Sequence, residues 1–345
     1  MTLILASIAG DKFWAMSDIL VSVLGAQPDR SANLPLHGQA IVLATDNHTV
    51  VGTAQKSIIL GDLVLIQWAG SQVVGEAVAR AILKALESGH GVNLDAILHD
   101  PEFGLVSATD NAVVVHVHLP DGQILRGAVN VRTADGMETV FAGTGAFNFL
   151  DDIETELTAR GIADGKATDR WYARVALVLA EEFFFKDPLE HAYGGWHEVI
   201  LPLPWGGFGK ASYLVKFWTI DDGKIISGPV FTSWYLDQHL CILGATGGHG
   251  LGERHKLMIV PAWNMPSIDA AAALAGFEQA MFQIHVVNNG GMMKFFWARN
   301  PWPDGFGIDL VDGEPQITVG REVVAKILSE DERAATMTRT SMSEL

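Results

Sequence analysis

A chain of 345 residues, 49% of them hydrophobic, can bury a large core and has room for two domains, or for one domain with a long appendage. Its 40 acidic residues against 23 basic ones leave a formal net charge of -17, which repels nucleic acid and anionic membrane surfaces. The single cysteine, Cys241, excludes an intrachain disulfide framework and a multi-cysteine metal site, and reads as a buried small side chain in a reducing compartment.

The chain opens MTLILASIAGDKFWAMSD, two short apolar runs about Gly10-Asp11, which is the pattern of a β-hairpin with a tight turn. No basic segment precedes these runs, and Asp11 and Lys12 cut them short of a signal peptide's apolar core. No later stretch approaches the about 18 apolar residues of a membrane-spanning helix, so a cytoplasmic place without membrane contact is expected. Residues 19–38, with Gly25, Pro28, Asn33, Pro35 and Gly38, read as a loop. QAIVLATD, TVVGTA, KSIIL and LVLIQWAG are then strands separated by Asp46-Asn47 and Gly61-Asp62 turns. Ser71 is placed to cap a helix in which Val74, Val78, Ile82 and Ala85 share one face and which Gly89 ends. Strands return at NAVVVHVHLPDGQILRGAV and METVFAG. Two helices are expected next, from Ala146 to about Arg160 and from Thr168 to about Lys186, where Asp187-Pro188 stops the second.

Beyond Trp196 the pattern is again mostly strand, through HEVILPL, ASYLVKFWTI, KIISGPVFTSWYL, HLCIL, KLMIVPAW and MMKFFWA, with one alanine-rich helix expected near Ser267 to His285. The many tryptophans of this half are expected in the core and at interfaces, because large aromatics dominate burial in both. ILGATGGHGLG, residues 242–252, has the glycine spacing of a dinucleotide-binding turn, but no helix pattern follows it, and it reads as a glycine-rich surface loop. WGGFGKAS lacks phosphate-loop spacing. His116 and His118 share one face of a strand without a third ligand at metal-binding spacing, and that face is expected to be solvated. The polar end of the chain, residues 331–345, reads as a frayed tail.

Four segments in order carry a family resemblance. TLILASIAGDKFWAMSDILVS resembles the opening of the HslV peptidase and of proteasome β-subunits, with Asp18 as the acid that closes the second strand. QKSIILGDLVLIQWAGS resembles the family's run from a lysine, here Lys56, to a small-residue corner at Gly70. VFAGTGAFNF resembles the family's Gly-Ser-Gly, with Thr144 in the serine's place, and EHAYGGWHEVIL resembles its Asp-x-x-Ser-Gly-Gly. In the last segment Glu190 or His191 stands near the aspartate, Gly194-Gly195 match the glycines, and Tyr193 precedes them where a serine is absent.

The resemblance implies an N-terminal-nucleophile hydrolase over residues 1–195. Its fold would be α+β, a four-layer αββα sandwich, with a β-rich extension over residues 196–330 and the tail beyond. It implies a threonine peptidase in which Thr2, exposed by removal of Met1, attacks the scissile carbonyl and its own amine takes the proton. Lys56 would keep the hydroxyl's pKa down, Asp18 would hold Lys56 charged, Gly70 N–H would receive the oxyanion and Thr144 would support the amine. Ser22 and Trp68 would line the substrate groove and its main pocket. That chemistry calls for no metal or organic cofactor. A peptide or amide substrate, a homo-oligomeric ring and an ATP-dependent unfoldase are the partners it suggests, and two alternatives stand beside it, an amidohydrolase of small amides and a catalytically silent assembly protein of the same fold. Two registers stay open: GQAIVLATD would put Asp46 in the place given to Asp18, and an ungapped HslV comparison would put Gln55 in the place given to Lys56. The loop from Asp18 to Lys56 and all of the chain past the expected domain depart from the family.

Overall fold

In a computed structural model the chain is described over residues 2–9, 12–25, 32–36, 40–41, 44–45, 48–89, 91–105, 108, 110–134, 139–146, 149, 175–176, 178–180, 182–184, 193–222, 224–248, 251–277, 280–289, 292–299, 306–311 and 314–319. Met1, the Gly10-Asp11 turn, Asp46, Glu190, His191, most of the two helices expected after Ala146 and the tail lie outside the described residues.

Strands follow one another as β1 (Ile4–Ala9), β2 (Lys12–Asp18), β3 (Leu20–Leu24), β4 (Ala32–Asn33), β5 (Ala40–Ile41), β6 (Ala44–Thr45), β7 (His48–Thr53), β8 (Ser57–Leu60) and β9 (Val64–Ala69). Helices α1 (Gln72–Glu87) and α2 (Leu94–Leu98) come next, and then β10 (Ala112–His118), β11 (Ile124–Val129), β12 (Arg132–Ala134) and β13 (Thr139–Ala142). The second half supplies β14 (His197–Pro202), β15 (Phe208–Lys210), β16 (Tyr213–Asp221), β17 (Lys224–Leu236), β18 (His239–Gly248) and β19 (Leu251–Val260). Helix α3 (Ala270–Ala275), β20 (Phe282–Asn289), β21 (Met292–Arg299), β22 (Phe306–Val311) and β23 (Glu314–Val319) complete it. The protein is therefore a mixed α/β chain, mostly sheet. Its main sheets have the orders β12-β13-β1-β2-β14-β15, β11-β10-β9-β8 and β19-β18-β17-β16-β20-β21.

The apolar opening is apolar because both of its faces are covered. In the β1–β2 hairpin, paired from Ile4↔Ser17 to Ala9↔Lys12, alternate residues part to opposite sides. Ile4, Ala6, Phe13 and Ala15 meet Leu65, Ala69, Ala112 and Val114 of the second sheet. Leu3, Leu5, Trp14 and Met16 instead join the helical residues Val175, Val178 and Leu179 and the third sheet's Val215 and Ile284. The far side of the second sheet, Val64, Ile66, Trp68, Val113 and Val115, packs on Val78, Ala79 and Ile82 of α1. Gly75 makes that approach close, since a Cβ there would stand 2.4 Å from the Trp68 indole.

Several expectations need correction. Of the strands expected past residue 195, β14 and β15 add to the β2 edge of the first sheet. Residues 20–24, expected in a loop, form β3, which pairs with β7. The helix expected to reach His285 ends at Ala275, and Phe282, Ile284 and Val286 enter the core from β20, which lies parallel to β16. Alternation and β-branching there outweigh the alanine run. Residues 242–248 and 251–252 are strand, not surface loop: they belong to β18 and β19, which pair with each other, and Gly244 leaves room for Phe231, whose ring would be 2.6 Å from a Cβ. His116 is not on a solvated face. It shares the side of β10 that carries Ala112 and Val114 between the sheets, is fully buried, and meets Phe13 edge-on at 5.0 Å. Ser71 does stand at the start of α1, but its hydroxyl makes no capping bond; its N–H donates to Asn111 Oδ1 at 2.7 Å. Cys241 and the indoles of Trp196, Trp218 and Trp234 are buried, whereas Trp205 is 77% exposed.

Candidate active site

Thr2 and Leu3 lead into β1, and Asp18 ends β2 directly beside them. Leu3 N–H donates to Asp18 Oδ1 at 2.8 Å, and Asp18 N–H returns a bond to Leu3 O at 3.0 Å. The same Oδ1 accepts from Lys56 Nζ at 2.5 Å. Lys56 arrives there because it is the last residue before β8, with its carbonyl fixed by Trp68 N–H at 3.2 Å. Both partners are buried, Asp18 completely. Burial lowers the Lys56 ammonium below its usual 10.5, against the pull of Asp18. Burial also raises the Asp18 carboxyl, opposed by the charge and hydrogen bond of Lys56 and by the Leu3 amide.

The Gly143–Gly145 turn closes on Thr2 from the other side. Gly145 N–H donates to Thr2 O at 3.2 Å. Gly143 has φ +108, and a Cβ on it would lie 1.9 Å from Thr2 O, so no larger residue permits this approach. Gly70, with φ +94, turns the chain from β9 toward α1; a Cβ there would sit 2.4 Å from Asp110 O. Asn130, whose side-chain amide donates to Leu105 O at 2.6 Å and Asn111 O at 2.7 Å, holds the segment beneath that corner.

These residues share a cavity of about 790 Å³, lined among others by Thr2, Ser22, Lys56, Trp68, Gly70 and Thr144. Every position that sequence reasoning assigned to chemistry or substrate, apart from Asp18, which sits behind Lys56, is on its wall. A second cavity of about 270 Å³ shares Ala54, Trp68 and Gln72 with the first, and is closed by Pro261, Ala262, Trp263 and Asn264 from the C-terminal half. Of the two neighbours Gln55 and Lys56, it is Lys56 that reaches Asp18, while Gln55 Nε2 donates to the carbonyls of Gln238 and Val260, each at 2.9 Å. Tyr193 is buried edge-on against Phe149 at 5.6 Å. Among the described residues no group of three His, Cys, Asp or Glu could hold a metal ion.

No protein-family model matches the chain, and no curated protein matches it. Among solved structures, a eukaryotic HslV from Trypanosoma brucei is 14% identical with a TM-score of 0.31, over 57% of this chain and 97% of that one. That likeness is slight and decides nothing about the chemistry of this site.

A polar cluster behind Lys56 was not anticipated from the sequence. Glu198, fully buried on β14, accepts from Lys56 N–H at 2.6 Å and Ser17 Oγ at 3.0 Å through one oxygen. Its other oxygen accepts from Ser57 Oγ at 2.8 Å and Lys210 Nζ at 2.6 Å. Next to it, His197 stands opposite Asp18 in the β2–β14 register; burial, and then the charge of Lys56, push its pKa down to about 3. The available signal was a single acid and a single base, Glu198 and Lys210, inside otherwise apolar strand runs, which in a buried strand must find each other.

Proposed function

We propose that this chain is an N-terminal-nucleophile hydrolase of amide bonds, a threonine peptidase or amide hydrolase, acting once the residue before Thr2 has been removed. The carrying observation is the buried Lys56–Asp18 pair, 2.5 Å apart, on a cavity that Thr2 also lines, with Asp18 fastened to the amide that follows Thr2.

Thr2 Oγ attacks the carbonyl carbon and its proton passes to the free α-amine, whose ordinary pKa of about 7.7–8.0 leaves it half neutral near pH 8. The Lys56 ammonium, on the cavity that Thr2 also lines, favours the alkoxide as it develops, and Asp18 keeps the ammonium aimed. Gly70 N–H receives the oxyanion, the protonated amine releases its proton to the departing amine, and water then frees the acyl group from Thr2 with the amine again as base. Thr144, on the turn over Thr2, supports the α-amine. Ser22 and Trp68 line the groove for a peptide or acylamide. The architecture proposed with this reading is αββα, the two facing sheets between α1 and the helical residues Val175, Val178 and Leu179, with the sheet of β16–β21 added outside; a ring of copies is the assembly proposed with it.

The test is the intact mass of protein made without an N-terminal tag, before and after an epoxyketone probe, with Thr2→Ala as control. A mature chain starting at Thr2 that gains one probe mass, where Thr2→Ala gains none, is expected. A chain that keeps Met1 and gains no mass would instead fit a silent assembly protein of this fold.

A further inference from the structure

We propose that Glu198 is a positioning residue for Lys56, and that with Gln55 it ties the place of the Lys56 ammonium to the C-terminal sheet. Gln55 and Lys56 are neighbours whose side chains leave in different directions, one into the C-terminal half and one to Asp18. Between them runs the peptide N–H that Glu198 accepts at 2.6 Å, a charge-assisted bond of the strong kind. Glu198 stands on β14 of the first sheet and also accepts from Ser57 at the start of β8 in the second, so one carboxylate bridges the two sheets at the cavity end. Lys210 completes the cluster: its Nζ donates to Glu198 Oε1 and to Gln55 Oε1, each at 2.6 Å, and to Ser57 O at 2.8 Å. Gln55 Nε2 then reaches Gln238 O, Val260 O and Pro261 O at 2.9, 2.9 and 3.1 Å.

A buried ion pair is a poor device for stability, since its desolvation cost rivals its attraction and an apolar pair of similar volume often serves as well. What such a connected polar cluster supplies is a single geometry, because its buried donors and acceptors are satisfied together only in one arrangement. Here that geometry ends at the residue whose ammonium meets Asp18. The C-terminal sheet thus works as part of the site without lining the larger cavity, through Gln238 at the β17–β18 turn and Val260 at the end of β19.

The test compares two double variants that carry equal charge, Glu198→Gln with Lys210→Met and Glu198→Ala with Lys210→Met. The glutamine can still accept from Lys56 N–H, and the alanine cannot. The first readout is the titration of Lys56 in protein with carbon-13 lysine, its signal identified by Lys56→Arg. The second is the rate of labelling by the epoxyketone, and only this one rests on the Thr2 reading. With alanine, Lys56 is expected to titrate closer to an ordinary lysine than with glutamine, and labelling to be on the order of 10²-fold slower. Coincident Lys56 titrations and equal labelling in the two variants overturn the proposal. Should the alanine form fail to fold, Gln55→Ala, which keeps all charges and the Glu198 contact, decides: a Lys56 titration moved toward ordinary lysine supports the proposal and an unmoved one overturns it. If the unaltered protein takes no label while the titrations differ, the nucleophile reading falls and Glu198 keeps its role; if it takes label while they coincide, the reverse holds.

Discussion

At the scale of single residues, the pH behaviour follows from which groups must carry charge. The Thr2 amine has to be neutral to accept a proton, so hydrolysis by the mature chain is expected to fall as pH drops below about 8. Lys56 has to be cationic, and since burial has lowered its pKa from 10.5, activity is expected to fall again before ordinary lysines titrate. A pH profile of probe labelling with a single rising limb and no alkaline fall would remove Lys56 from the mechanism. Two buried histidines are expected to weaken the fold in acid. His116 and His197 both have pKa values pushed down to about 3 by burial, from 6.5. A depressed pKa means the unfolded chain binds the proton first, so their stabilising share is complete above pH 6.5 and drains away as pH falls toward 3, at about 1.4 kcal/mol per unit for each. Denaturant titrations of the protein and of His116→Leu at pH 7 and pH 5 measure this; the variant should lose less stability between them, and equal losses refute the account.

At the scale of elements, two glycines make opposing effects comparable. Gly75→Ala adds a good helix former to α1, worth about 1 kcal/mol in an exposed helix. Yet its Cβ would stand 2.4 Å from the Trp68 ring, and overpacking costs about 1–3 kcal/mol. The second effect wins, so a lowered melting temperature is expected, and a raised one would mean that α1 sits farther from the sheet. Gly143→Ala meets Thr2 O with no flexible atom to yield, at a positive φ that alone costs about 1–3 kcal/mol. It should displace Thr2 and abolish labelling even where the chain still folds. These elements were legible because their patterns are local: the hairpin of β1 and β2, the stripe of α1 and the turn residues each state their own geometry. The helix expected through His285 was not legible, because Phe282, Ile284 and Val286 owe their strand to a partner, β16, more than 60 positions earlier in the chain.

At the scale of the whole molecule, the two halves share a core. Trp196 stacks on Tyr213 at 5.0 Å and Tyr213 on Phe282 at 5.2 Å, so one aromatic column runs from the end of the first sheet into the third. Gln55 finds its carbonyl acceptors only in the second half. A chain ending at Lys210 keeps the first sheet whole but uncovers this column and leaves the Gln55 amide and the Leu3, Leu5, Trp14 and Met16 face without much of their cover. It is expected to aggregate or to lose its cooperative unfolding transition in calorimetry; a soluble fragment unfolding at the full chain's temperature would mark residues 211–345 as a separate appendage. No helix among the described residues is long and apolar enough to cross a membrane.

By itself the sequence determined the hairpin that opens the chain, the helix after Ser71 and the acidic balance, because turn glycines and periodicity are written in neighbouring letters, whereas Thr2, Asp18, Lys56 and Gly70 were singled out by a family resemblance alone. Only the tertiary structure decided that Lys56 rather than Gln55 meets Asp18, that His116 is buried, that β14 and β15 extend the first sheet, and that Glu198 and Lys210 are partners. Those facts depend on which faces meet and on where a buried charge finds its counterpart, and burial is a property of the folded whole.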